Sequence, residues 1–147
     1  MLQPSVSSAP AWPAPVVIDT NIVLDLWVYQ DPATPPLLAA LQEGAVQWLA
    51  TAHMREELLR VLDYPHIAKR RERDGVSAAA VLAHFDALAQ LQDVAAKAPY
   101  VCKDEDDQKF IDLATAHKAL LLSKDKQVLR LTHRLARLGV VVRSRYV

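Results

Sequence analysis

The acidic side chains of Asp19, Glu57, Asp104, Asp107 and Asp125 have the type and placement to do chemistry. Asp19 closes the apolar run Val16-Val17-Ile18 and precedes Thr20-Asn21. Asp104 and Asp107 stand in Cys102-Lys103-Asp104-Glu105-Asp106-Asp107, and Asp125 ends Ser123-Lys124-Asp125. If the runs before Asp19 and Asp125 are neighbouring strands of a parallel sheet, these distant carboxylates meet at one crevice beyond the strand ends. Several ionised carboxylates in one place repel each other unless a cation neutralises them, and hard oxygen donors suit Mg²⁺ or Mn²⁺.

Each acid also has an ordinary structural reading. Asp19 and Asp125 are placed to cap the helices that follow them, and an acidic first turn satisfies a helix dipole. That dipole accounts for one or two of the four acids at 104–107 and less well for the whole cluster. Asp104 and Asp107, three apart, share one side of the helix start, while Asp106 points elsewhere. Helical phase separates the two adjacent glutamates: Met54, Leu58, Val61 and Leu62 mark a buried stripe with Glu57 on its border and Glu56 nearly opposite, where it can pair with Arg60 in solvent. Asn21 is a candidate helix cap, and Ser123 is either a turn serine or a hydroxyl that supports a neighbouring carboxylate or phosphate.

The elements that would position these residues are short apolar runs alternating with helical patterns. Strands are expected at 16–18, 46–49, 119–122 and 140–142. Helices are expected at 22–29, 37–43 closed by Gly44, from the Thr51 cap to Leu62, 77–91, 105–117, and 125–138 ended by Gly139. The basic stretch 69–73 is expected to link helices and face water. This alternation predicts a three-layer α/β/α sandwich around a mainly parallel sheet of about five strands.

With 147 residues, 52% of them hydrophobic and only 3 glycines, the chain fits one ordered domain at 16–147. Residues 1–15, carrying Pro4, Pro10, Pro13 and Pro15, are expected to be disordered or extended. No signal-peptide pattern or membrane-length apolar run occurs, which points to a soluble cytoplasmic protein. One cysteine, Cys102, excludes an internal disulfide and a cysteine-cluster zinc site, and the five histidines are dispersed. Glycine-rich phosphate loops and Ser or Cys nucleophile motifs are absent. Of the aromatic residues, Trp12, Trp27, Trp48 and the tyrosines could stack on bases, although core or interface packing is the expected role for Trp27 and Trp48. Net charge is zero, yet residues 1–67 carry seven acids against two bases, and residues 118–147 carry eight bases against Asp125 alone. A basic rim beside an acidic crevice suits a polyanion whose phosphate approaches a metal; a solvated helix exterior is the plainer alternative.

Four segments together resemble the PIN-domain family, in the VapC-like branch associated with toxin–antitoxin pairs: VVIDTNIVLD at 16–25, EELLRVLDYP at 56–65, CKDEDDQKFIDLA at 102–114 and LLSKD at 121–125. The resemblance implies a 5′-nuclease-like core in which acidic residues hold Mg²⁺ or Mn²⁺ and single-stranded RNA is cleaved. Matched to this chain, the family's acids fall on Asp19, Glu57, Asp104, Asp107 and Asp125, and its Asn on Asn21. The Thr usual before the last Asp is Ser123 here, which keeps the hydroxyl. Homodimerisation and inhibition by an antitoxin protein are further implications.

Other readings remain open. A haloacid-dehalogenase-type phosphatase also places an Asp after its first strand, but needs a second Asp where Asn21 stands. A non-catalytic RNA- or protein-binding module, or a nuclease acting on DNA or structured nucleic acid, would share most of these features.

Overall fold

A computed structural model describes residues 14–103 and 105–147. The expectations for residues 1–13, for Trp12 and for Asp104 therefore lie outside the described residues.

Strand β1 (Ala14–Ile18) is built from Val16, Val17 and Ile18, β-branched residues suited to a strand covered on both faces, and all three are buried. It runs parallel to β2 (Val46–Ala50) on one side and to β4 (Leu120–Leu122) on the other. β3 (Ala89–Leu91) and β5 (Val142–Arg143) complete a wholly parallel five-stranded sheet of order β3-β2-β1-β4-β5.

Because the chain moves outward from β1 to β3 and then returns to β4, right-handed crossovers place the helices on both faces. The first group comprises α1 (Thr20–Leu24), α2 (Pro35–Glu43), α3 (Ala52–Leu62), α4 (Pro65–Asp74) and α5 (Ala78–Leu88). The second comprises α6 (Glu105–His117), α7 (Lys126–Leu129) and α8 (Thr132–Ala136). Packing agrees: α3 lies against α1, α4 and α5, whereas α6 lies against β1 and β4. The result is the expected three-layer α/β/α architecture. The reversal of direction falls between β1 and β4, the switch point where parallel sheets open a crevice.

Several boundaries differ from expectation, each for a local reason. β1 starts at Ala14, because pairing with Val46 extends it beyond its apolar run. α1 begins at Thr20 and passes into a π-helical segment, Asp25–Tyr29, that ends at Gln30 in the left-handed region (φ 50°). The basic stretch at 69–73 is helical within α4, started by Pro65 and closed by Gly75 at φ 70°. Arg71 is also not simply solvated: its Nε and Nη2 donate to the Leu62 carbonyl at 3.0 and 2.9 Å. The helix expected through Leu91 stops at Leu88, and 89–91 pair with β2 instead, leaving Leu91 exposed. Beyond β4, the expected single helix is two short ones, interrupted at Arg130-Leu131.

The core on the α1–α5 face centres on Trp48, which stacks on Trp27 with ring centroids 5.8 Å apart and meets Phe85 edge-on at 5.0 Å. None of the helices among the described residues is long and apolar enough to cross a membrane. Trp48→Ala would leave a cavity between β2 and α5, and should cost about 3–5 kcal/mol of unfolding free energy in urea denaturation.

Candidate active site

Asp19 immediately follows β1, and its backbone N–H still donates to the Leu122 carbonyl of β4 at 2.9 Å. The β1–β4 register pairs Ile18 with Leu122, so the next residues, Asp19 and Ser123, emerge side by side. Ser123 Oγ donates to Asp19 Oδ2 at 2.7 Å, with the serine fully buried and Asp19 only 3% exposed. The same hydroxyl oxygen accepts the Asp125 N–H at 3.1 Å, tying the loop after β4 to the end of β1. Ser123 is thus a support for the carboxylate and not merely a turn residue.

Burial pushes the Asp19 carboxyl above its ordinary 3.8, because a desolvated negative charge is costly. The Ser123 hydroxyl opposes that rise, as does the backbone N–H of Asn21, while the charges of Glu57 and Asp125 add to it. Asn21 is not the cap expected from sequence: the cap position falls on Asp19, and the Asn21 side chain is exposed. Its contribution to Asp19 comes from the backbone N–H, which favours the ionised carboxylate.

Glu57 reaches the site from α3, which Thr51 caps by accepting the Met54 N–H at 3.4 Å. Its side chain is 13% exposed, against 69% for Glu56, as the helical phase requires. Glu56 lies beside His53 Nδ1 at 3.9 Å. Thr20 Oγ1 donates to Glu57 Oε1 at 2.7 Å, and Lys109 Nζ to Glu57 Oε2 at 3.1 Å. Lys109 also donates to the Asp106 carbonyl and lies over the Phe110 ring at 4.9 Å. Sequence reading missed Thr20 and Lys109. A buried threonine next to Asp19 and a lone lysine in an acidic helix start are weak signals until the fold brings α3 and α6 together.

Asp125 caps α7, its Oδ1 accepting the Gln127 N–H at 2.7 Å, so the plain structural reading of this residue holds alongside its proximity to Asp19. On α6, Asp107 is buried, whereas Glu105 and Asp106 are exposed. Gln108 holds the preceding segment to this helix: its Oε1 accepts the Cys102 N–H at 2.6 Å, and its Nε2 donates to Tyr100 O at 3.2 Å and Asp112 Oδ1 at 2.9 Å.

The structure therefore brings Asp19, Ser123, Asp125 and Glu57 to one crevice at the β1–β4 switch point. It does not show the four described acids, Asp19, Glu57, Asp107 and Asp125, as one assembled ligand set. Among the described residues, no group of three or more His, Cys, Asp or Glu side chains could hold a metal ion as placed. Glu57 is turned to Thr20 and Lys109, and Asp125 to the start of α7. The donors are nonetheless all carboxylates, and the charge conflict at buried Asp19 is of the kind a hard divalent cation relieves, so the residues fit such an ion in kind.

A wholly parallel sheet with buried Asp19 at its switch point is an architecture that places ligands beyond the strand ends. The PIN domain family model matches residues 15–127, and the chain belongs to that family. PIN domains are generally nucleases and generally use divalent metals. No curated protein matches the chain.

Since the folded state holds a proton on Asp19 more tightly than the unfolded chain, stability contributed by this group falls as pH rises from about 3.8 through the folded-state value. Asp19→Asn should therefore melt at a higher temperature than wild type near neutral pH in chelator, with the gap closing toward about pH 4. Ser123→Ala should move Asp19 further in the same direction and cost about 1–3 kcal/mol, read from denaturant unfolding across that pH range.

Proposed function

We propose that this protein is a metal-dependent endoribonuclease that hydrolyses phosphodiester bonds in single-stranded RNA, acting as the toxin component of a toxin–antitoxin pair. The observation supporting this most directly is the buried Asp19 carboxylate, bonded to Ser123 and repelled by Glu57 and Asp125 at the switch point of a PIN fold.

The residues that would hold Mg²⁺ or Mn²⁺ are Asp19, Glu57, Asp104, Asp107 and Asp125. When bound, such an ion makes water a better nucleophile and offsets phosphate charge. The chain's own contributions are positional. Ser123 fixes the Asp19 carboxylate against rotation, and the register of β1 on β4 fixes Ser123. Thr20 and Lys109 hold Glu57 at the edge of α3. The exposed cations of the C-terminal third, Lys124, Lys126, Arg143 and Arg145 among them, draw the RNA backbone to an otherwise acidic crevice. Because water and not a ribose hydroxyl attacks, products carry 5′-phosphate and 3′-hydroxyl ends. The toxin role adds an antitoxin partner and a cytoplasmic location, and the family resemblance adds homodimerisation.

One observation favours a second reading. The Lys109–Glu57 pair already neutralises one of the acids, which suits a non-catalytic RNA- or protein-binding PIN module.

With Mn²⁺ or Mg²⁺ the wild-type protein should cut a mixed-sequence single-stranded RNA; chelator should stop it, and Asp19→Asn should slow it by about 10²–10³-fold or more. Cutting that persists in chelator, or products ending in 2′,3′-cyclic phosphate, would refute the mechanism. Absence of cutting with either metal would favour the binding module.

A further inference from the structure

Among the described residues, hollows lie on either side of the sheet's switch point, walled by segments that follow the strands. One, at the β2–β3 end, is lined by Thr51, His53, Glu57, Arg60, Val94 and Lys109. The other, about 420 Å³, lies at the β4–β5 end between the α1–α2 segment and the residues that follow the two strands. Its walls include Ile22, Asp25, Thr34, Lys124, Arg145 and Tyr146.

We infer that this second hollow is a subsite for one nucleotide of a single-stranded substrate, next to the phosphate held at Asp19; the assignment of that phosphate rests on the nuclease reading above. Position argues for it first. Lys124 lies between Ser123 and Asp125, and Ile22 is one turn into the helix that Asp19 begins, so the hollow is walled by the same two segments that carry the candidate site.

Chemistry argues for it second. Lys124 and Arg145 supply phosphate donors and Tyr146 an aromatic face for a base; Asp31, whose Oδ1 accepts the Ala33 N–H at 2.8 Å, keeps its second carboxylate oxygen for a base edge or ribose. Lys124 is ion-paired with buried Asp25, but an ammonium has three donors, and the side chain remains 45% exposed. Arg143 Nη1 donates to the Tyr146 carbonyl at 3.1 Å, which holds the turn carrying Arg145 and Tyr146 in place. The other hollow has Glu56, Glu57 and Asp112 in its wall against Arg60 and Lys109, an excess of acid, whereas here Lys124 and Arg145 balance Asp25 and Asp31.

The test is fluorescence anisotropy of a labelled single-stranded RNA decamer in chelator, where binding is read apart from cleavage, with the same decamer as DNA in a second arm. Tyr146→Ala and Arg145→Gln should each weaken RNA binding by about tenfold, and Tyr146→Phe, which keeps the ring, should bind as wild type does. Equal weakening in the DNA arm would assign the subsite to base and phosphate without the 2′-hydroxyl. Wild-type affinity in both Tyr146→Ala and Arg145→Gln would overturn the subsite, as would no wild-type binding up to about 100 µM protein. Wild-type cleavage with Mn²⁺ is scored separately. Cutting by wild type together with undiminished binding by the variants removes the subsite alone. Weakened binding by the variants without cutting by wild type keeps the subsite and removes the nuclease reading.

Discussion

Asp19 stands where two physical demands conflict. The strand before it must be apolar on both faces to lie in the middle of a parallel sheet, while the carboxylate at its end must keep enough polar company to tolerate burial. The neighbouring strand resolves the conflict. Pairing of β1 with β4 delivers Ser123 to Asp19, and Ser123 in turn receives the Asp125 backbone. A shift of one residue in that register would turn every β4 side chain to the opposite face and remove the buried partner. The site is thus a consequence of how two strands distant in sequence are aligned.

Around this point the molecule distributes charge unevenly. Asp19 lies close enough to Glu57 and Asp125 to be repelled by both, and each has its own local arrangement: Asp19 with Ser123, Glu57 with Thr20 and Lys109, Asp125 at the start of α7. The net neutrality of the chain conceals this arrangement, because the balancing cations lie mainly in the C-terminal third and are exposed. Under the proposed function, acids near the strand ends and exposed cations elsewhere on the chain are what a zero total charge needs to serve a polyanionic substrate.

Much of the fold was legible because its core elements are strongly patterned. Val16 to Ile18 form a continuous β-branched run, and Leu58 and Leu62 mark the buried side of α3 so clearly that Glu57 could be told from Glu56. β3 was not legible: Ala89-Gln90-Leu91 has no apolar run, is largely exposed, and is a strand only because β2 offers an unpaired edge. α4 was hidden by its polarity, with Ile67 its one fully buried residue. The break between α7 and α8 interrupts what reads as one amphipathic pattern.

The amino-acid sequence by itself determined the alternating α/β architecture, the acid at the end of the first strand, and the side of α3 that carries a usable glutamate, since these depend on local periodicity and helical phase. Only the tertiary structure decided that Ser123 bonds Asp19, that Asn21 contributes its backbone and not its side chain, and that Thr20 and Lys109 share Glu57. Those contacts join residues up to 104 positions apart. Their existence depends on strand order and register, which arise from how the whole core packs and not from any one segment.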